Sequence, residues 1–589
     1  MYVAITGSGK NRVIQFREDK RIPGTTRKKT NVIKTLGNYE RMLAEDPDII
    51  GKLKEEARRL TLEKKESQTP ISLDAATNEI LDPSMVVPSY NFGHALVLQL
   101  WDRMKLDPVF TDKTGKRDEQ QVKDMIFYLL LHRMSDPASV RASAFDQPRY
   151  AGLEELKLDR FYDVLPVLDA AKEELIAHLG RFFARHTDRS SDHGYYDVTT
   201  YAFESTRWGE LRMFGFSKDH KNNEVQVVMG LLIDNNGIPV TYELFPGNTM
   251  DQNTLVQSVE RLKKLYGMEK ITVIADRGLN GGPNLEFLCN QGHDFVISYT
   301  LKRSAQEFKQ LVWAESGWSQ EVDPETGEVV SRAKIVAQDL EFKVKLTPEE
   351  LANAQPTKGR PKKYKKVSVP VKIHLTWSAS RARKDYSDRQ RMLEKLAKKL
   401  DQPYQLKASM KKGINQFLEM ELDTAHWKLD EEKIREAARY DGYYAVITNN
   451  LDLSTREVTK IYRGLWKIEE SFRIMKTDLK SRPVYVHKDE HIRGHFVLCF
   501  LALCMLRYLQ YLIVENGFEP VSAETLMETL HEPLVLVQGQ FPNIVVTPAR
   551  ISQTYLDLSK ILEMKPLRQN MTLTQFRSAT KLDLMKNLR

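Results

Sequence analysis

Three acidic residues of this sequence stand where a charged side chain is either costly or well placed for chemistry: Asp197, Asp276 and Glu469. Asp197 interrupts HGYYDVTTYAFES (193–205), a run of aromatic and β-branched residues that predicts a buried strand, and a bare carboxylate is costly to bury. Asp276 ends the apolar run KITVIAD (270–276), and ligand sites of α/β sheets lie beyond the carboxyl ends of strands. Three carboxylates brought together repel one another unless divalent cations compensate them, and oxygen ligands suit Mg²⁺ or Mn²⁺. Two such ions would activate a water or hydroxyl and stabilise the leaving oxygen of a phosphodiester.

Glu469 lies in IYRGLWKIEESFRIMK, part of one long predicted helix at 456–479. Steps of three and four residues place a stripe of side chains on its inward face: Val458, Tyr462, Leu465, Glu469, Phe472 and Lys476. Glu470 is rotated about 100° from this stripe, so Glu469 is the predicted third acid. Each acid also has a structural interpretation. Asp197 could be a hydrogen-bonded strand residue, Asp276 a turn or cap residue, and Glu469 the partner of a Lys one turn away.

The elements that must position the first two acids have the periodicity of a mixed sheet. GYYDVTTYAF, EVQVVMGLLID and IPVTYELF predict strands, and the turn NNG (235–237) joins the last two. A helix over 250–267, the strand KITVIAD, a short helix and the strand HDFVISYT follow. This order predicts a mixed sheet with helices packed on it.

Other segments flank this predicted sheet. Residues 1–40 predict a small β unit, 47–68 a charged helix, 67–85 a polar linker and 92–186 a mostly helical region. From about 301 to 440 the pattern is broken, with short strand-like pieces and the lysine-rich helix DYSDRQRMLEKLAKKL. We interpret this stretch as a separate insertion.

Positive charge is concentrated in one stretch of the chain. The chain has 589 residues and a net charge of +8, whereas residues 358–400 contain 15 Lys and Arg against 3 acids, a net of +12. A concentrated basic face is typical of a polyanion-binding surface. Nucleic acid is therefore the predicted partner, and a solvated helix face with a loop is the alternative.

Cysteine usage and the apolar runs bear on the compartment. The three cysteines form no CxxC pair, which fits a reducing cytosol, and the first residues lack the pattern of a signal peptide. The longest apolar run near the C-terminus, VLCFLALCML (497–506), has about half the length of a membrane span and predicts a core helix. We expect a cytoplasmic protein without a membrane partner.

The chain resembles the DDE-type transposases of bacterial insertion sequences, in the group marked by a Tyr-x2-Arg-x3-Glu-x6-Lys helix. Tyr462, Glu469 and Lys476 have the spacing of the family's Tyr, Glu and Lys, and LWKIEESFRIMK is similar to its Trp-x-Ile-Glu-Glu core. GYYDVTTYAFES and VIADRGL are similar to its two aspartate motifs. The family's Arg position holds Leu465, and Arg463 or Arg473 is the expected replacement.

The resemblance implies an α/β protein with an RNase H-like mixed sheet, interrupted by a largely β insertion. The expected units are an N-terminal β unit plus helix (1–75), a helical DNA-binding domain (86–187), two parts of the catalytic core (188–300 and 441–515), a basic β insertion (301–440) and a C-terminal helical segment (516–589).

The resemblance also implies roles for residues. Asp197, Asp276 and Glu469 would hold two Mg²⁺ ions, with Mn²⁺ able to substitute, and Tyr462 and Lys476 would contact DNA near the cut. Relatives excise through a DNA hairpin and rest a flipped base against a Trp, which suggests Trp377, although a core residue of the insertion is the stronger interpretation. The basic stretch adds four candidate DNA contacts: Lys362, Lys363, Lys365 and Lys366.

The implied function is cleavage of double-stranded DNA at element ends and joining of the 3′-hydroxyl to target DNA by a dimer in a synaptic complex, in the bacterial nucleoid. The alternatives are a metal-dependent nuclease of the same fold and a non-catalytic DNA-binding derivative. His491, His495 and Cys499 share one helix face, and packing is favoured over a second metal site.

Overall fold

The computed structural model describes the chain except residues 22–27, 67–85, 112–118, 190–192, 216–222, 251–253, 267–269, 303, 305, 347–349, 352–362, 401–416, 422–425, 540–542 and 589. It divides into two compact units. Unit 1 consists of Met1–Val86 with Gly539–Val545, and unit 2 of Val87–Gln538 with Val546–Arg589.

Unit 1 is built on a three-stranded antiparallel sheet in the order β1-β2-β3. Its elements are β1 (Tyr2–Thr6), β2 (Val13–Arg21), β3 (Lys28–Asn38), α1 (Tyr39–Glu45) and α2 (Ile49–Glu66). Ile14 and Phe16 of β2 are buried against Leu53 and Ala57 of α2. The alternation of β2 therefore gives the sheet one apolar face, which α2 covers.

Unit 2 begins with a helical region, as predicted. Its elements are β4 (Ser89–Asn91), α3 (His94–Met104), α4 (Asp107–Thr111), α5 (Glu119–Ser135), α6 (Val140–Phe145) and α7 (Val164–His186). Apolar residues at helical spacing are buried along α3 and α7.

A nine-stranded mixed sheet forms the centre of unit 2 and confirms the predicted fold class. The strands that follow in the chain are β5 (His193–Ala202), β6 (Gln226–Ile233), β7 (Pro239–Pro246), β8 (Thr272–Ala275), β9 (Asp294–Ser298), β10 (Ser319–Val322), β11 (Val329–Lys345), β12 (Tyr364–Ser378), β13 (Leu418–Glu421), β14 (His426–Leu429) and β15 (Tyr443–Thr448). The order in the large sheet is β10-β11-β12-β15-β9-β8-β5-β6-β7, and β13 pairs with β14 separately. β8 runs parallel to both β5 and β9, and the other neighbouring strands of this sheet pair antiparallel.

The predicted insertion is not separate from this sheet. β10, β11 and β12 extend it beyond β15, because alternate residues of β12 such as Val371 and Ile373 are buried in the same apolar cluster as β5 and β8. Lysines interrupt the apolar residues of β12, so the sequence predicted short strand-like pieces instead of one strand.

Helices cover both faces of the large sheet. The remaining helices of this region are α8 (Leu255–Tyr266), α9 (Gly282–Asn290), α10 (Gln306–Trp313), α11 (Ala379–Leu400), α12 (Glu431–Ala438), α13 (Thr455–Arg463), α14 (Trp466–Arg473) and α15 (Asp489–Glu515). Residues of α8, α9 and α10 join one apolar cluster with Tyr196 and Val198 of β5. On the opposite face, Tyr195 bonds to α13 and Tyr201 packs on Phe496 of α15. We call this opposite face the site face.

α15 is long and apolar enough to cross a membrane by length and composition alone, and 83% of its apolar window is buried inside the protein. It contacts α5 and α7 as well as the sheet. These contacts are those of a core helix.

The last part of the chain is mixed rather than helical. It contains α16 (Ala523–His531), β16 (Leu534–Gln538), β17 (Val545–Arg550), α17 (Gln553–Ile561), β18 (Met571–Thr572) and α18 (Leu573–Thr580). β18, β17 and β16 form a four-stranded sheet with β4, and the alternating apolar residues of LVLVQ in β16 account for its strand. The expected C-terminal helical segment at 516–589 therefore contains strands as well as helices.

Candidate active site

Asp197 and Asp276 lie on neighbouring strands. β5 and β8 run parallel with Tyr195 beside Ile274, so Asp197 is level with Asp276, the residue after β8. Adjacent strands are about 4.8 Å apart. Since Tyr196 enters the cluster on the far side of the sheet, Asp197 points to the site face. The sheet therefore places these two acids side by side.

Asp276 also caps the turn that follows β8. Its carboxylate accepts a hydrogen bond from the backbone N–H of Gly278 at 3.2 Å, while the residue remains exposed. The cap interpretation is thus correct, and it leaves the carboxylate accessible to a ligand.

Two helices, instead of one continuous helix over 456–479, carry the third acid. Tyr195 explains the break: its hydroxyl donates to the carbonyl of Ile461 at 3.1 Å and lies 2.2 Å from where a Cβ on Gly464 would be. The backbone then tightens, with Lys467 N–H donating to the carbonyl of Gly464 at 3.1 Å, and a π-helical turn, Ile474–Asp478, follows α14. The prediction of a single helix is wrong because a strand tyrosine packs into this turn.

The adjacent glutamates of α14 have different surroundings. Glu470 pairs at 2.9 Å with Arg507 of α15, whose side chain is only 7% exposed. Glu469 is exposed and makes no hydrogen bond or ion pair within the described part of the chain. Glu469 is therefore not on an inward stripe as predicted; it lies at the margin of the stripe, beside the buried Leu465 and Phe472.

Tyr462 and Lys476 lie on the site face, and Tyr462 lies near Asp276. The ring of Tyr462 is 5.7 Å from that of Tyr444. Burial raises the pKa of the Tyr462 hydroxyl far above its usual range, and the nearby Tyr444 and Asp276 raise it further. This hydroxyl therefore stays protonated as a donor within electrostatic reach of Asp276. The Lys476 ammonium lies 5.5 Å from the ring of Tyr201, on the same face of β5 as Asp197.

The donor set suits a hard divalent ion, because all three acids offer carboxylate oxygens and two of them are exposed. Among the described residues, however, no three His, Cys, Asp or Glu side chains are grouped closely enough to hold an ion. The strand register thus sets Asp197 level with Asp276, and the three acids do not form a closed metal-binding cluster within the described residues. By type, these three residues are the ones that would hold the metal.

A family model decides what kind of protein carries this site. The model described as "Transposase DDE domain" matches residues 189–505, which is more than half of the chain. The chain belongs to the DDE transposase family. Transposases of this family cleave and rejoin DNA with divalent metal ions, so the resemblance inferred from the motifs is confirmed.

Two further comparisons add little to this identification. No curated protein matches the chain in sequence. Among solved structures, the chain is similar to a piggyBac transposase, seen by cryo-EM in a synaptic complex with hairpin DNA. That similarity has 8% sequence identity and a TM-score of 0.36, and it covers 76% of this chain and 72% of the other.

Within the DDE transposase domain, the residue at the family's Arg position cannot act as a surface group. Leu465 is buried against the sheet. Of the two predicted replacements, Arg473 pairs with Asp478 at 3.1 Å and Arg463 is exposed. Arg463 is thus the more accessible cation beside α14.

Trp377 is a half-buried strand residue. Its indole N–H donates to the carbonyl of Asp441 at 3.1 Å, and the Arg332 guanidinium lies 5.4 Å from its ring. These contacts favour the structural interpretation over base stacking.

The four predicted lysine contacts differ in availability. Lys365 pairs with Glu286 and Glu350 at 2.8 and 2.9 Å, and Lys366 pairs with Glu341 at 2.7 Å. Lys363 is exposed, and Lys362 lies outside the described residues. Acids that are distant in sequence thus offset part of the positive stretch.

The histidine stripe on α15 is part of the core. His495 bonds to the carbonyl of Ser481 at 3.1 Å, and burial lowers its pKa to about 3. His491 stacks on Tyr162. These contacts favour packing over a second metal site.

Sequence reasoning assigned no role of their own to two residues near the site. Trp466 is 56% exposed at the start of α14, three residues before Glu469. Arg381 of α11 lies 4.5 Å from the ring of Tyr444, which in turn contacts Tyr462. The position of Trp466 off the inward stripe was a usable signal, whereas the Arg381 contact depends on strand pairing that the sequence does not reveal.

Proposed function

We propose that this transposase cleaves DNA at the ends of a bacterial insertion sequence and joins the released 3′-hydroxyl to target DNA. Asp197, Asp276 and Glu469 would hold two Mg²⁺ ions, for which Mn²⁺ substitutes. The observation that carries the proposal is the parallel pairing of β5 with β8, which sets Asp197 level with Asp276 on the site face. Bound metal would supply charge compensation and a more acidic water or hydroxyl.

The residues around the acids would hold and orient the DNA. The protonated Tyr462 hydroxyl would donate to a phosphate oxygen, and Lys476 would act as a point charge for the phosphodiester. The ion pair of Glu470 with Arg507 would fix α14 on α15. The exposed side chain of Glu469 would then turn towards the aspartates when metal and DNA bind.

The wider assembly belongs to the same proposal. The chain would bind double-stranded element ends and target DNA, pair with a second copy in a synaptic complex, and excise through a cut-and-paste route with a hairpin. The helical region of unit 2 and the exposed basic residues of α11 support a DNA surface outside the catalytic centre.

The test is a joining assay. Purified full-length protein would be mixed with a labelled duplex spanning its own element's end, a supercoiled target plasmid and Mg²⁺. We expect a nick or hairpin at the element boundary and covalent joining of the labelled 3′ end to the plasmid.

Other products would select an alternative. Metal-dependent cutting without end preference or joining would indicate a nuclease of the same fold. Binding without cutting under Mg²⁺ and Mn²⁺ would indicate a non-catalytic DNA-binding derivative.

A further inference from the structure

We infer that the sheet of unit 1 recognises element-end DNA by placing its uncovered face in the major groove. This inference deepens the proposed function and rests on it. One face of the sheet is covered by α2 through Ile14 and Phe16. The other, which we call the open face, is defined by residues paired across the three strands: Tyr2, Thr6, Gln15, Arg17, Val32 and Thr35.

The open face presents side chains at the surface. Tyr2 is 42% exposed and Val32 is 49% exposed, although both are large and partly apolar. Tyr2 is paired with Arg17 on one side of β2, and Arg17 is paired with Val32 on the other. In the major groove an arginine can bind the edge of a guanine, and apolar groups beside it can contact the methyl group of a neighbouring thymine.

Hydrogen bonds across the open face hold its polar groups in one layer. Gln15 is central: its amide N–H donates to the Thr35 hydroxyl at 3.1 Å, and its oxygen accepts from Arg17 at 2.9 and 3.0 Å and from Thr6 at 3.3 Å. Glutamine and arginine are the residue types that read adenine and guanine in the major groove. The network positions them before any ligand arrives, which lowers the entropic cost of binding.

The positive charge of the N-terminal segment is concentrated in the part of the chain that contains the sheet. Residues 1–41 contain 10 Lys and Arg against 3 acids, a net of +7, whereas residues 42–66 contain 6 against 7, a net of −1. Lys28, Lys29 and Lys34 are exposed on β3, an edge strand of the sheet. Lys34 is paired with the buried Phe16, so it belongs to the edge of the sheet and not to the open face. The sheet therefore complements a polyanion, and the covering helix does not.

Dimensions select duplex DNA as the occupant. The major groove is about 12 Å wide and admits a two-stranded β-ribbon, which the β2–β3 pair supplies. The 11 residues of β3 would extend along roughly one helical turn of DNA. Gln15 and Arg17 would contact base edges, and the β3 lysines would contact phosphates.

The test compares full-length variants in a binding selection. Wild-type protein would be used to select duplexes from a library with a randomised central segment, and the selected motif would be compared with the element's end. Gln15→Ala/Arg17→Ala should lose the motif and reduce the preference for the end duplex over a scrambled duplex by about tenfold or more.

A second variant tests the phosphate contacts without touching the hydrogen-bond network. Lys28→Ala/Lys29→Ala/Lys34→Ala should lower the slope of log affinity against log salt by about two to three. The charge-matched control, Lys54→Ala/Arg58→Ala/Arg59→Ala, removes exposed cations of α2 and should leave motif and slope unchanged. Thermal unfolding of each variant would show whether it is folded.

Three outcomes are decisive. This inference is overturned if the folded Gln15→Ala/Arg17→Ala variant keeps the motif and the folded β3 lysine variant keeps the slope, even when wild-type protein cleaves the end with Mg²⁺. An equal loss in the α2 control also overturns it, because the effect would then be net charge alone. Motif loss confined to Gln15→Ala/Arg17→Ala supports the inference. Absence of wild-type cleavage in the same samples would contradict the proposed function separately.

Discussion

At the scale of single residues, surroundings distinguish side chains that the sequence leaves equivalent. Glu469 and Glu470 are adjacent and chemically alike, yet Glu470 binds the buried Arg507 while Glu469 is exposed. Arg507 also donates to Ser471 at 2.9 Å and to the carbonyl of Lys467 at 3.0 Å. Glu470 is thus a structural residue that fixes α14 on α15.

This assignment predicts the effect of Glu470→Gln. Removing the charge leaves Arg507 buried without its counter-ion, so the free energy of unfolding should fall by about 1–3 kcal/mol. Urea unfolding followed by circular dichroism would measure the change, and metal-dependent cleavage should persist at low temperature. An unchanged unfolding midpoint together with lost cleavage would show that Glu470, instead of Glu469, is the catalytic acid.

At the scale of elements, the break between α13 and α14 depends on one contact with the sheet. Gly464 accommodates the Tyr195 side chain, whose hydroxyl would lie 2.2 Å from an added Cβ. The break turns α14 against β5 and β6, and so determines where Glu469 lies.

Gly464→Ala should therefore be destabilising by about 1–3 kcal/mol through overpacking. Combined with Tyr195→Leu, which removes the outer part of the ring, it should cost less than the sum of the two single substitutions. A double-mutant cycle of unfolding free energies measures this coupling, and strict additivity would contradict the contact.

The basic residues of β12 and α11 differ in whether they are available to bind DNA phosphates. Lys365 and Lys366 are paired with glutamates, whereas Arg383, Lys384, Lys395 and Lys398 of α11 are exposed and make no ion pair within the described residues.

Changing the four α11 residues to Gln should lower the slope of log DNA affinity against log salt by about three. Lys365→Gln/Lys366→Gln, the paired control, should change it much less. The opposite ranking would place the DNA on β12 instead of α11. Filter binding over a salt series measures both slopes.

The sequence predicted the local elements well and the long-range contacts poorly. Runs of apolar and β-branched residues located β5 to β9, and apolar spacing located α3, α7 and α15. The helix break was not predictable because Tyr195 and Gly464 are far apart in the chain, and the continuity of β12 with β15 depends on strand pairing. The two aspartates were predictable because Asp197 lies within one predicted strand and Asp276 ends another, whereas the exposure of Glu469 follows from the unpredicted break.

At the scale of the whole molecule, buried neutral histidines link stability to pH. Burial lowers the pKa of His94 to about 4 and that of His495 to about 3. An unfolded histidine has a pKa of about 6.5. Between pH 6.5 and the lower pKa of each folded histidine, the unfolded chain therefore binds more protons than the folded chain. Their contribution to stability is complete above pH 6.5 and is lost as the pH falls towards 4 and 3.

Acidification from pH 7 to pH 5 should therefore lower the unfolding free energy by about 2 kcal/mol for each such histidine. His94→Gln keeps an N–H that can reach the carbonyl of Ala151, and it should reduce this loss by one histidine's share. Thermal unfolding at both pH values measures the effect. An equal loss in the variant and the wild type would contradict the assignment.

The central claim for the whole molecule is that Asp197, Asp276 and Glu469, carried by β5, the end of β8 and α14, act as one metal-dependent centre. The most direct measurement is the rate of cleavage of an end-labelled element-end duplex with Mg²⁺, Mn²⁺ or chelator, for wild type, Asp197→Asn, Asp276→Asn, Glu469→Gln and the control Glu470→Gln. We predict cleavage by wild type and Glu470→Gln with either metal, none with chelator, and loss of cleavage in the other three variants while DNA binding persists. Retained metal-dependent cleavage in any of those three variants would contradict the claim.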